Sequence, residues 1–323
     1  MNNYIAEHIR KYPKDSSLLL IKNGETMVSL NEQVKRPLAS IYKLILVFEY
    51  LDQCAQGKIH PNDPIHFREL KRYWIHWIDP TFMIWYESIK DTRKIKNNSV
   101  ALKEIVAGMM QYSSNTNTDY LLAKLGLDKV NNQLTKYKLI KHDEVIPIST
   151  SILASLSEDT ANHTPNSLGI LAQEYFRSML KGKAIEGVDL NLLNDFNEDA
   201  QRQWSDLMPH ASVETYREVL QIFQANHSKN KYLQEVTDWF GKLKSYQDFT
   251  GGMKLGMTPK VFNVALYAMD AHGNTYELIY FLNHLTSDQR QSIELACNDF
   301  NLKLLGNPDF IDQLNNKTNA HVY

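Results

Sequence analysis

Ser40 and Lys43 stand three residues apart in Ser40-Ile41-Tyr42-Lys43, just after Arg36-Pro37 and at the head of an apolar run. A serine hydroxyl is a poor nucleophile at neutral pH; it needs a base within hydrogen-bond reach and donors for the oxyanion that forms. On a helix, positions three apart share a face, with roughly 5–6 Å between their Cβ atoms. A lysine kept from water loses proton affinity and can act as that base. A serine in the first helical turn also lies in the favourable field of the helix N-terminus. The spacing alone is not specific, because Ser178…Lys181 and Ser228…Lys231 repeat it. The former falls late in a helical stretch and the latter in a polar, loop-like run, so only Ser40 opens a buried helix.

Two further clusters fall at junctions between expected elements. Ser113-Ser114-Asn115 lies between two helical segments, where a hydroxyl and an amide can face one cleft. Lys254-Leu255-Gly256 precedes a C-terminal hairpin; on an edge strand its ammonium can meet a substrate carboxylate, and glycine permits close backbone approach. Decoys exist here too. Ser29…Asn31 and Ser228…Asn230 are not flanked by helices, and Lys124-Leu125-Gly126 ends one, where glycine caps.

The elements that must position these residues follow from periodicity. A short helix is expected over 3–11, and strands over Ser16–Ile21 and Thr26–Leu30, joined by an Asn23-Gly24 turn. Ser40–Gln56 is apolar at Ile41, Leu44, Ile45, Phe48 and Leu51, which is helical spacing. Residues 65–245 read as mainly helical, clearest over about 101–112, 116–125, 166–181 and 211–225, with an irregular insertion at 183–210. Met253–Thr258, Phe262–Ala271 and Thr275–Asn283 read as strands, and Asp288–Leu305 as an amphipathic helix ended by Gly306. A sheet built from both chain ends, with helices inserted between, is the economical α+β arrangement.

Composition narrows the function. The 323 residues are 43 % hydrophobic and 22 % charged, as in ordinary globular proteins, and the net charge of −2 supplies no basic field for nucleic acid or an anionic membrane. No run approaches the ~20 apolar residues of a spanning helix. Met1–His8 lacks the apolar core of a secretory signal, which fits either a cytosolic protein or a secreted one with its signal removed. Cys54 and Cys297 are expected to be buried free thiols. His210, His227 and His272 show no metal-ligand spacing, so neither a metal nor another cofactor is expected. The absence of a Gly-x-Ser-x-Gly elbow argues against an α/β-hydrolase. The aromatic stretch Tyr73-Trp74-Ile75-His76-Trp77 with Trp85-Tyr86 is either core or an apolar cleft wall.

Ser-x-x-Lys, then Ser-x-Asn, then Lys-x-Gly, in this order, resembles the motif set of class A β-lactamases and penicillin-binding proteins. Tyr112-Ser-Ser-Asn-Thr-Asn-Thr-Asp-Tyr-Leu-Leu122 is similar to the second-motif helix of class A enzymes. The resemblance spans most of the chain. It implies a three-layer α/β/α sandwich from residues 1–38 and 250–323, and a helical domain over 39–249 with an insertion around 183–245. The active site is then expected at their interface. Carried over, Ser40 attacks a carbonyl, Lys43 is base or proton relay, and Ser113 passes a proton to the leaving group. Asn115 binds the substrate amide and Lys43, and Lys254 anchors a carboxylate. Gly256 allows close approach, and the N–H groups of Ser40 and Met257 form the oxyanion hole. Two departures stand out. Leu255 replaces a hydroxyl residue for which Thr258 is the substitute candidate. Class A enzymes also carry a deacylating Glu before a Thr-Pro, whereas Thr164-Pro165 is preceded by Ser149-Thr150-Ser151, with only Glu144 and Glu158 near. The expected function is an acyl-enzyme hydrolase of β-lactams or related amides, esters or peptides, slow to deacylate. The alternatives are an esterase or amidase with another substrate, and an inactive binding relative.

Overall fold

The computed structural model describes residues 3–75, 79–156, 164–183, 198–227 and 248–318. These form two compact units. The first comprises the chain up to Ile41, the segment beginning at His210, and the C-terminal stretch. It opens with helix α1 (Tyr4–Lys11), capped by the Asn3 side chain. Strands β1 (Ser16–Lys22) and β2 (Glu25–Leu30) follow, with Asn23 and Gly24 both at positive φ, as a tight hairpin turn requires. Near the other chain end lie β7 (Phe249–Thr258), β8 (Val261–Asp270) and β9 (Thr275–Leu282). The sheet order is β2-β1-β9-β8-β7, antiparallel throughout, which leaves β7 on an edge.

One face of this sheet buries Leu18, Leu20, Val264, Leu266, Leu278 and Tyr280 against α1 and two closing helices, Ser287–Gly306 and Pro308–Thr318. The second closing helix lies beyond Gly306, where the sequence reading stopped. Helix α11 (Val213–His227), expected in the helical part, instead packs on β1, β8 and β9, with Tyr216 edge-on to Phe281 at 5.6 Å. The reason is physical: alternate positions such as Leu19, Ile279 and Phe281 point to the second face and would otherwise meet water. The result is an α/β/α sandwich. Short strands β3 (Arg36–Pro37) and β6 (His210–Ala211) pair to lead α11 in. Buried Arg36 fastens this corner. Its guanidinium donates to Ser17 Oγ and Asn283 Oδ1, both at 2.7 Å, and to the Lys14 and Ser16 carbonyls at 2.8 Å.

The second unit is helical. It contains α2 (Lys43–Ala55), α3 (Phe67–Lys71), α4 (Pro80–Lys90), α5 (Leu102–Gln111), α6 (Asn115–Leu125), α7 (Leu127–Lys136), α8 (Ile148–Ser155), α9 (Pro165–Leu180) and α10 (Glu198–Leu207). A small ribbon, β4 (Pro64–His66) with β5 (Ser99–Ala101), is an addition the sequence did not signal. Helix α10 stands where irregular chain was expected. Tyr73, Phe82 and Trp85 are core residues, with Trp85 packed against Phe67 and Phe82; His76 and Trp77 lie outside the described residues. Cys54 and Cys297 are buried and not joined in a disulfide. No helix among the described residues is long and apolar enough to cross a membrane.

Replacing Arg36 by Met would leave several buried acceptors without donors, each costing about 1–3 kcal/mol. We expect Arg36→Met to lose about 3 kcal/mol or more of stability, read from urea unfolding; a loss below about 1 kcal/mol would show that this corner does not depend on the guanidinium.

Candidate active site

Ser40 lies in a short 3₁₀ turn, Ala39–Tyr42, rather than in the α-helix itself, and Lys43 is the first residue of α2. The turn is entered through Ala39 at φ 47°, a left-handed conformation that only tertiary contacts hold in place. Ser40 is 7 % exposed, so its surroundings are largely desolvated while a reagent retains some access.

The backbone around Ser40 is shaped by β7. A Cβ on Gly256 would fall 2.5 Å from the Leu38 carbonyl oxygen and 3.0 Å from the Ile41 nitrogen. The strand can therefore lie against the serine turn only because residue 256 has no side chain. Asn263, paired with Gly256 across β7 and β8, donates to the Pro37 carbonyl at 2.7 Å and holds the same approach. Lys254, Gly256 and Thr258 alternate with Leu255 and Met257, so they share one face of β7. Lys254 is nearly buried and its ammonium donates to the Leu255 carbonyl at 2.8 Å. The Thr258 hydroxyl accepts from the Lys260 N–H. Met257 is exposed.

In the helical unit Lys43 has no accessible surface. Its ammonium donates to the Ser113 carbonyl at 2.6 Å and to Asn115 Oδ1 at 2.9 Å. Burial lowers its pKa to about 8, against the opposing pull of the Asp79 and Asp119 carboxylates. A lysine at a helix N-terminus also sits in a field that disfavours its charge.

The turn bearing Ser113 is fixed by Asp79, a residue the sequence reading missed. Asp79 caps α4, accepting from the Phe82 N–H at 3.2 Å and the Thr81 hydroxyl at 2.6 Å. Its other oxygen accepts from the Ser114 hydroxyl at 2.9 Å and the Thr116 N–H at 2.7 Å. One carboxylate thus joins the N-termini of α4 and α6. Ser113 is driven to φ 59°, which directs its carbonyl to Lys43. An Asp immediately before a Pro is a helix-start signal, so Asp79-Pro80 was available in the sequence.

Asp119 was missed as well. It lies one helical turn beyond Asn115 on α6, is completely buried, and accepts from the Ile148 and Ser149 N–H groups at 3.1 and 3.0 Å. It therefore caps α8. Desolvation pushes its pKa up to about 6, against hydrogen bonds from Ser149 and Ile148 and the charge of Lys43. The hydroxyls in the register of the class A glutamate are engaged in packing: Thr150 donates to the Ala172 carbonyl, and Ser151 donates to the Ile148 carbonyl while accepting from Trp204 Nε1. Glu144 is exposed and lines a cavity with Asn166, Gly169 and Gln173; Glu158 lies outside the described residues. Of the rival pairs, Ser178 and Lys181 fall at the end of α9, and Ser228 and Lys231 are not described. Among the described residues, no group of three or more His, Cys, Asp or Glu is arranged to hold a metal ion.

Asp79→Ala would uncap two helices and remove the acceptor of four donors. The expected loss is about 2–4 kcal/mol, measured by denaturant unfolding; a variant as stable as the parent would remove Asp79 from this role.

Comparison with known proteins agrees with the fold. A family profile described as the β-lactamase enzyme family matches residues 1–188. No protein with a curated description matches the sequence. Among solved structures, a class A β-lactamase representative from Bacteroides cellulosilyticus superposes with a TM-score of 0.57 at 13 % identity, covering 98 % of each chain. A β-lactamase from Sphaerobacter thermophilus gives 0.59 at 12 % identity, covering 93 % of this chain and 97 % of its own. PBP-A gives 0.55 at 12 % identity, covering 97 % and 94 %. At such identities these neighbours speak to the fold.

Proposed function

Since the chain belongs to the β-lactamase enzyme family, we propose that Ser40 is its acylated nucleophile and Lys43 the base that activates it. The enzyme is a serine hydrolase of the β-lactamase type. The observation that carries the residue assignment is Lys43. A buried ammonium aimed by the Ser113 carbonyl and Asn115, with its pKa brought to about 8, is poised to exchange a proton near neutrality.

In the proposed reaction, neutral Lys43 takes the Ser40 proton as Oγ bonds to the substrate carbonyl carbon. The oxyanion is met by the N–H groups of Ser40 and Met257. Collapse of the tetrahedral species breaks the carbonyl–nitrogen bond, and the proton reaches the leaving nitrogen through Ser113. Asn115 holds the substrate amide. Lys254 answers a substrate carboxylate, and Thr258 offers a hydroxyl on the same face of β7, four residues further along the strand.

The substrate class we propose is a β-lactam or a related amide, ester or peptide, with acylation faster than deacylation. Loss of a general base slows a step by roughly 10²–10⁴-fold, and the Thr150 and Ser151 hydroxyls are already committed to α9, α8 and Trp204. A mutant of the structural neighbour PBP-A has been captured as an acyl-enzyme with penicillin G, at 11 % identity to this chain. Leu255 favours a second reading, an esterase or amidase whose substrate lacks the carboxylate, because a hydroxyl beside Lys254 is missing there.

Intact mass spectrometry after incubation with a penicillin should show one added acyl group, lost in Ser40→Ala; labelling that survives this change would overturn the nucleophile. Stopped-flow nitrocefin hydrolysis should show a burst near one equivalent and then slow turnover, whereas fast turnover without a burst would mean an efficient deacylating base is present.

Acylation should rise with pH and level off above about 8, because the reactive form of Lys43 is the unprotonated one and it declines about tenfold per unit below that pKa. Lys43→Arg should lower acylation by about 10²-fold or more, since guanidinium stays protonated. A rate equal to the parent's would refute the base.

A further inference from the structure

Asp119 has no role in the reaction just described, yet it is a carboxylate buried with no accessible surface in the same unit as the buried amine. We propose that Asp119 is a positioning residue that sets the charge state of Lys43, and hence the pH range of acylation, while anchoring the N-terminus of α8. The inference rests on the proposed role of Lys43.

Helix α6 brings both groups to one side: one residue holds Lys43 and another, one turn on, carries the carboxylate. Asn115 and Asp119 are four residues apart and so share one face of α6. Asn115 Oδ1 accepts from the Lys43 ammonium at 2.9 Å. Asp119 turns its two oxygens to the first N–H groups of α8. That cap satisfies two donors with one group, so an uncharged acceptor of the same shape would retain part of it. The remaining effect of the carboxylate is its charge. The groups that bear on this pair are Asp79 at the start of α4, acting on Lys43, and the Tyr73 phenol after α3, whose pKa is raised chiefly by burial and in part by Asp119. Ser149 on α8 donates to Asp119.

The sign follows from Coulomb attraction. An ionised Asp119 stabilises the ammonium and holds the Lys43 pKa up against desolvation. Removing that charge leaves burial less opposed, so the amine loses its proton more easily. Asp119 takes up a proton near pH 6, so the lysine in the unmutated protein titrates beside a neighbour that changes charge below it.

Two measurements test this. The first is the pH profile of single-turnover acylation by penicillin in the parent, Asp119→Asn and Asp119→Glu. We expect the acid limb to move down by about one unit in Asp119→Asn, and to return towards the parent position in Asp119→Glu, which keeps the charge. A uniform loss at every pH, with the limb unmoved, is what a purely structural role produces and would overturn the proposal. The second is the Lys43 Cε resonance of ¹³C-lysine-labelled protein, assigned by its disappearance in Lys43→Arg and followed from pH 4.5 to 10 without substrate. In the unmutated protein it should show a major step near 8 and a minor one near 6 as Asp119 ionises; a single step would overturn the proposal even if Asp119→Asn failed to fold. Because this titration needs no reaction, it stands apart from the acyl-enzyme reading. Absence of any acyl adduct on Ser40 would sink that reading, and the lysine titration would still decide the coupling.

Discussion

The structure depends on keeping one positive charge out of water. With its pKa brought from 10.5 to about 8, the Lys43 ammonium costs the fold about 3 kcal/mol at neutral pH, a large part of the stability of an ordinary domain. A buried amine is tolerated only where its N–H groups find acceptors. Here they are the Ser113 carbonyl and the Asn115 amide oxygen. Both come from one short junction, so the shape of that junction decides whether the charge can be held.

Helix ends supply the answer. Asp79 sits where α4 and α6 begin, and Asp119 where α8 begins. Each carboxylate is steadied by N–H groups at the positive end of a helix, where negative charge is favoured. Both also act on Lys43, which stands at the start of α2 in a field of the opposite preference. A cation in the wrong place for its own helix is thus balanced by two anions in the right place for theirs. This balance leaves Lys43 charged but weakly so.

The sheet unit has a different task, which is to present backbone. Its edge strand β7 must lie flat against the turn carrying Ser40, and a single side chain at residue 256 would prevent it. Asn263 and Arg36 hold the incoming chain from the other side by donating to the Pro37, Lys14 and Ser16 carbonyls. Polar side chains therefore add at this corner to the short β3–β6 ladder.

Much of this was legible in the sequence. The Asn-Gly hairpin, the strands at both chain ends and the helices near 102–111, 115–125 and 165–180 follow from turn chemistry and periodicity, which are local. The three motifs were legible too, since residue types at fixed spacing and at element boundaries need no tertiary knowledge. What lay beyond reach was each feature whose cause is distant in the chain. Helix α11 looked like its helical neighbours, and only a sheet face in need of cover drew it away. The burial of Asp79 and Asp119 was out of reach, because burial of a charge is decided by partners 29 to 76 residues away in sequence, which no periodicity records. Ser40 looked like the first turn of an α-helix, and became a 3₁₀ turn because the backbone there must meet an edge strand more than two hundred residues later. The sequence by itself determined which groups are present and which elements carry them. The tertiary structure decided which of those groups are dry and which charges face one another, because dehydration and Coulomb attraction depend on distance in space.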